Sequence, residues 1–252
     1  MTSREELSAC VALQEEIWGE GFSGVVPASL LKVTTHVGGI LAGAFDAGGR
    51  LVGFVFGITG VEQGEIVHWS HMLGVSPAAR DQGIGRKLKE YQRAELQRIG
   101  VARIYWTFDP LVARNAHFNF NVLGVHAREY VVDMYGEGTS PLHRGIGTDR
   151  LIVSWTMKGS TSPALHREPV DPAFSTVRIQ VPGDIAALQR DDMAAARQWR
   201  ARTRDAFTAA LAKGLTIASF ELDVAARGGS YVLAPSSSKP GPALRAKTSP
   251  TV

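Results

Sequence analysis

One cysteine, Cys10, stands among the 252 residues. That excludes an internal disulfide and a zinc cluster built on cysteines. Long apolar runs are also missing, and nothing approaches the about 20 residues that cross a bilayer. Arg4, Glu5 and Glu6 fall at the amino end, where a secretory leader would carry its apolar region. A strong charge of either sign is missing too. Lys and Arg number 27 against 24 Asp and Glu, for a net +3, too mild for the dense basic stripe of a nucleic-acid binder. These absences predict a cytoplasmic protein with no membrane and no nucleic-acid partner. What is present is an ordinary globular composition, 44% hydrophobic and 20% charged, enough to bury a core. A weakly basic surface suits an anionic cofactor and plain solubility equally well.

Periodicity gives a coarse order of elements. A helix is predicted over residues 5–18 and a second short helix after Pro27. A hairpin follows around Asp46, Ala47, Gly48 and Gly49, then a strand over 65–75. Beyond a Gly-containing loop, a helix places Leu88, Tyr91, Leu96 and Ile99 on one face. A strand over 101–108 and a helix over 113–124 follow, then two more strands, reaching residue 158. Strands and helices in alternation mark an α/β or α+β domain over 1–158. Residues 159–175 lose periodicity and gain Pro, Ser and Thr, as a linker does. Residues 176–234 read as a strand, one long helix from Ile185 to Leu211, and a hairpin, a β-α-β-β extension. The Pro- and Ser-rich residues 235–252 read as a disordered tail.

The chemistry concentrates where the strand over 65–75 meets the following helix. Gly83 and Gly85 remove side chains where a backbone must approach an anion, and the helix start presents its positive end there. Arg80 and Arg86 add charge. Glycines between a strand and a helix are also common turn residues, so the pair alone decides nothing. The dinucleotide fingerprint is excluded for want of a third glycine and a following acidic strand end. The nucleotide-triphosphate loop is excluded for want of Gly-Lys-Ser/Thr.

Arg80, Asp81, Gln82, Gly83, Ile84 and Gly85 together resemble the Q/R-x-x-G-x-G/A motif of the GNAT acyltransferase superfamily. The resemblance extends to Leu73, Gly74, Val75, Ser76 and Pro77 before the loop. Downstream it includes a strand, Asn115 with Ala116, and a helix ending at Gly124, so the order agrees over roughly residues 5–158. It implies a twisted, mostly antiparallel sheet, splayed between its fourth and fifth strands. It further implies an acetyl-CoA or another acyl-CoA as donor, with the pyrophosphate on residues 80–85 beside Arg86. The pantetheine arm would lie against main-chain groups of Leu73, Gly74 and Val75. No metal is implied, and no third ligand stands at a telling distance from His68 and His71.

Acyl transfer to an amine requires a base, a grip on the oxyanion, and a fate for the thiolate. The resemblance puts the oxyanion near the main-chain N–H of Leu73. Histidine titrates near working pH, and His71 and His68 are the candidate bases. Each has a packed strand residue as its other reading. On a regular strand His71 shares a face with Leu73 and Val75, and His68 takes the other, unless a bulge intervenes. Some arylalkylamine-acetylating members of the family resemble this chain in a catalytic histidine where His71 stands. Many members carry a tyrosine acid where this chain has Phe120, so that role is absent or transferred. Asn115 contacts the cofactor arm or caps its helix. Asp109, before Pro110, meets a substrate ammonium or forms an Asp-Pro turn. The expected function is an acyl-CoA-dependent N-acyltransferase acting on a small-molecule amine or an amino acid. N-succinyltransfer and a non-catalytic acyl-CoA-binding module are the alternatives, and a homodimer is a further possibility.

Overall fold

The computed structural model describes residues 1–136, 145–157, 176–225 and 228–235, with the backbone of 245–248. They gather into two compact units. One is built mainly on Met1–Trp106. The other takes in Thr107–Gly138, Leu142–Ser154 and Thr161–Val252.

The first unit opens with α1 (Arg4–Trp18), begun by a capping box. The Ser3 hydroxyl accepts from the Glu6 N–H at 3.1 Å, and the Glu6 carboxylate accepts from the Ser3 N–H at 3.0 Å. α2 (Ala28–His36) follows Pro27. Strands β1 (Ile40–Phe45), β2 (Leu51–Glu62) and β3 (Glu65–Val75) pair antiparallel in chain order. Gln63 and Gly64 join β2 to β3 with φ of 51° and 80°, the doubly left-handed turn that matches strand twist. α3 (Ile84–Arg98) then crosses over to β4 (Arg103–Phe108), so β3 and β4 run parallel. The sheet is mixed and mostly antiparallel with flanking helices, as expected. The opening expected between a fourth and a fifth strand falls between β3 and β4, because β3 is third in chain order.

Leu7, Cys10 and Leu13 of α1 and Leu31 of α2 pack on Phe54, Phe56 and Met72. Phe54 and Phe56 are fully buried, each contributing roughly 1.5–3 kcal/mol of transfer free energy. This fastens α1 and α2 to one sheet face. Burial pushes the Cys10 thiol up to about 12, which makes it a packing residue without reactivity. The inner face of α3 differs from its apolar reading. Leu88, Lys89, Gln92 and Leu96 are buried, whereas Tyr91 and Ile99 are exposed.

In the second unit a short α4 (Ala113–Ala116) widens into a π-helical stretch (His117–Leu123), where one plain helix was expected. β5 (His126–Val132) pairs antiparallel with β6 (Arg150–Thr156). A separate sheet has the order β7 (Val177–Val181), β9 (Gly228–Pro235), β8 (Leu215–Asp223). The long helix expected from Ile185 breaks into α5 (Ile185–Asp191) and α6 (Met193–Ala212). Asp192 leaves helical geometry there, and its carboxylate caps the Ala195 N–H at 3.0 Å. Within the stretch expected to be disordered, β10 (Arg245–Thr248) pairs parallel with β5. The expected linker over 159–175 lies outside the described residues.

One aromatic cluster joins residues from several stretches of the second unit. Tyr130 stacks on Phe207 at 4.9 Å, Phe207 meets Tyr231 at 5.1 Å, and Phe120 meets Tyr231 at 6.0 Å.

Candidate functional site

β3 and β4 are paired only from Val67↔Arg103 to Trp69↔Tyr105. β3 continues through residues 70–75 with no further rung to β4, so one edge of its main chain opens along a fork. The fork's closed end lies at Ser70 and Trp106, the residues that follow the last rung.

The other end of that open edge leads into the loop. A 3-10 turn (Pro77–Ala79) brings the chain to Arg80, and Asp81 and Gly83 both adopt left-handed backbone, with φ of 62° and 73°. Gly83 is the N-cap of α3 and offers no side-chain cap. The first helical bond runs from the Lys87 N–H to the Gly83 carbonyl at 3.1 Å. The N–H groups of Ile84, Gly85 and Arg86 are therefore left without helical acceptors. A Cβ on Gly83 would meet nothing within 4 Å, so glycine is required here by backbone angle, and the space before it is open. Ile84 anchors the helix start, since a Cβ on Gly53 of β2 would lie 3.0 Å from its Cγ2.

An uncapped helix start with open space before it binds anions through its N–H groups and its positive end. Arg80 folds back, its Nε donating to the Val75 carbonyl at 3.4 Å. Arg86 is held by Glu90 at 2.7 Å on the exposed side. Asp81 and Gln82 are exposed. The donor set fits a phosphate-bearing group, and no group of three or more metal-ligating side chains occurs among the described residues.

The two histidines separate by environment. The β2–β3 register passes from Phe56↔Met72 to Gly57↔Ser70 and skips His71, which is the bulge residue. The bulge turns His71 away from the face of Leu73 and Val75 that a regular strand would give it. Its ring stands edge-on to Phe56, centroids 6.2 Å apart, on the face that α1 and α2 cover. His71 is exposed, yet neighbouring groups remove enough water to lower its pKa below 6.5, leaving it neutral at pH 7 and able to take a proton.

His68 is fully buried. One ring nitrogen, Nδ1, lies 3.0 Å from Thr59 Oγ1 and the other, Nε2, 3.1 Å from Gln92 Nε2. Gln92 Oε1 in turn accepts from Lys89 Nζ at 3.1 Å. That fixes the Gln92 amide nitrogen as the group facing His68, because an ammonium needs the amide oxygen. His68 Nε2 must accept, so Nδ1 carries the proton and donates to Thr59, whose hydroxyl donates to the Gly38 carbonyl at 2.5 Å. Desolvation and the nearby Lys89 push the His68 pKa down to about 3. With both nitrogens engaged and no solvent contact, His68 braces the sheet and takes no part as a base. Lys89 and Gln92 were not singled out in the sequence. Their one signal is helical spacing, with 89, 92 and 96 recurring along a single face of α3.

The remaining sequence candidates lie in the second unit. The Asn115 carbonyl accepts from Asn119 Nδ2 at 2.8 Å, and its N–H bonds the Val112 carbonyl at 2.9 Å, a local helix role. Phe120 packs edge-on to Phe108 and Tyr231, so its position is filled by aromatic packing that asks for no hydroxyl. Asp109 is buried against Arg200 at 2.6 Å and accepts from the Leu111 N–H at 2.8 Å. Both are intramolecular contacts, not the substrate contact considered for it. Tyr130 donates to Asp149 at 2.6 Å, deep in the same cluster.

Residues 12–119 match the model of the acetyltransferase (GNAT) family. No match was found among curated proteins. Among solved structures, ribosomal-protein-S18-alanine N-acetyltransferase from Escherichia coli is similar at 18% identity over 63% of this chain and 92% of that one, TM-score 0.47. Ribosomal-protein-alanine N-acetyltransferase from Brucella melitensis is similar at 17% identity over 62% and 96%, TM-score 0.48. An N-acetyltransferase from Staphylococcus aureus Mu50 is similar at 14% identity over 62% and 96%, TM-score 0.49. Likenesses this distant carry no weight for substrate or chemistry. The family match spans the fork, the loop and both histidines, and residues 12–119 are similar to an acetyltransferase (GNAT) domain.

Proposed function

We propose that this chain is an acyl-CoA-dependent N-acyltransferase that passes an acyl group to the amine of a small molecule or amino acid by direct attack. The observation that carries the reading is the uncapped start of α3 at one end of the open β3 edge. In this account the N–H groups of residues 83–86, with Arg80, hold the pyrophosphate. Leu73, Gly74 and Val75 line the arm, and the Leu73 N–H grips the carbonyl oxygen. Acyl-CoA supplies the activated carbonyl. His71, neutral and solvent-reached, takes the proton from the attacking amine. With Phe120 committed to packing, the departing thiolate takes its proton from water. Asn115 is assigned to its helix, and the protein is placed in the cytoplasm.

A second reading, a module that binds acyl-CoA without turnover, draws on Phe120. Calorimetry with CoA followed by thiol release over an amine panel separates the two. Binding with release on at least one amine supports the enzyme. Binding with no release on any amine of a broad panel supports the module, and no binding removes both.

A further inference from the structure

Lys89 is 2% exposed and points from α3 at the closed end of the fork. Its Nζ donates to Ser70 Oγ at 2.9 Å and to Gln92 Oε1 at 3.1 Å, and it stands 3.6 Å from the centroid of Trp106. A hydroxyl, an amide oxygen and an indole face are three acceptors, the set an ammonium asks for. No carboxylate pairs with it among the described residues, and burial lowers its pKa well below the ordinary lysine value. A buried ammonium without a counter-ion is costly. An apolar side chain would be the cheaper occupant, as its helix neighbours Leu88 and Leu96 illustrate. Ser70 and Trp106 are the first residues past the last β3–β4 rung, so this ammonium, with no counter-ion among the described residues, sits where the two strands part.

The order along the open edge follows from the chain. The anion-binding loop lies beyond Val75. The edge runs back from there to Ser70, five residues or roughly 16 Å at the ordinary strand rise. A donor with its pyrophosphate on the loop and its arm in the fork brings its acyl end toward Ser70 and Lys89. A methyl group arriving there leaves the ammonium without a counter-ion, whereas a carboxylate supplies the opposite charge and can accept the N–H that otherwise faces the Trp106 ring. We infer that Lys89 receives the terminal carboxylate of the acyl group, so that the preferred donor is a dicarboxylic acyl-CoA of the succinyl class. This rests on the reading of loop and fork as an acyl-CoA site.

The test is calorimetric binding of CoA, acetyl-CoA and succinyl-CoA to the full chain and to its Lys89→Met variant. The wild type is expected to bind succinyl-CoA at least tenfold more tightly than acetyl-CoA. In Lys89→Met that ratio should fall to near one, through loss of succinyl-CoA affinity. Equal affinities, or a preference for acetyl-CoA, in the wild type overturn the inference, and that comparison needs no variant. A ratio unchanged in Lys89→Met overturns it as well. Should Lys89→Met fail to fold, Lys89→Gln keeps a polar partner for Ser70 and must show the same loss. CoA that binds without discriminating acyl groups defeats only this inference, whereas failure of CoA itself to bind defeats the acyl-CoA reading beneath it.

Discussion

Acidification from pH 7 to pH 5 should cost the first unit about 2 kcal/mol through His68 alone. The ring is fully buried, its Nε2 already accepts from Gln92, and Lys89 lies on the far side of that amide. A second ring proton would oppose the Gln92 N–H groups and add charge beside Lys89. The pKa accordingly falls from 6.5 to about 3. The folded state thus binds fewer protons than the unfolded chain, so the stabilisation is complete above pH 6.5 and is lost as pH falls toward 3. At pH 5, 1.5 units below the unfolded value, the loss is RT ln(1 + 10^1.5), about 2 kcal/mol. Urea unfolding followed by circular dichroism at pH 7, 6 and 5 measures it, with His68→Gln as the comparison. The wild type should lose more stability on acidification, and the difference between the two slopes isolates the histidine. Parallel pH dependences would refute the tautomer and the network that imposes it.

Replacing His71 by Gln should lower thiol release by about 10²–10⁴-fold with CoA affinity unchanged. Because the His71 pKa lies below 6.5, the wild-type rate should rise with pH and level off before pH 7, and the variant should lack that acid limb. A limb that persists would assign the base elsewhere. Gly57→Ala places a Cβ 2.1 Å from His68 Nε2 and 2.7 Å from the Trp69 carbonyl, and should cost about 1–3 kcal/mol in urea unfolding as overpacking. Arg200→Met removes the 2.6 Å partner of the buried Asp109 carboxylate and leaves Arg150 at 3.8 Å, so it should cost at most about 3–5 kcal/mol. A thermal midpoint within 1 °C of wild type would return Asp109 to a substrate role.

The elements that a short stretch of sequence can determine were legible. The first helix over 5–18, the turn at Asp46, and the strand–loop–helix around Gly83 each carry their reason locally, and each stands where periodicity and turn chemistry put it. The bulge at His71 was not legible, because residues 68–73 contain no break. It arises from the slip against Phe56 and Gly57 in the neighbouring strand, and it reverses which histidine faces where. Lys89 and Gln92 were hidden for a related reason. Polar residues on a helix read as solvated, and only the partners Ser70, His68 and Trp106, supplied by other elements, make their burial possible. The break at Asp192 was written in sequence as a helix cap inside an otherwise unbroken apolar stripe, and the stripe prevailed in the reading. Phe120 was singled out as the departure from the family pattern, while one of its two aromatic partners, Tyr231, comes from a distant part of the chain.

Whether the start of α3 seats the pyrophosphate of CoA is decided by calorimetric titration of CoA into wild type, Gly83→Ala and Gly83→Glu. Both substitutions meet the same left-handed backbone, with a strain of about 1–2 kcal/mol, but only glutamate adds bulk and negative charge to the open space in front of the amides. CoA should bind the wild type, Gly83→Ala should keep its affinity within about tenfold, corresponding to 1.4 kcal/mol, and Gly83→Glu should abolish binding while remaining folded. An affinity in Gly83→Glu equal to that of the wild type would contradict that seat for the pyrophosphate.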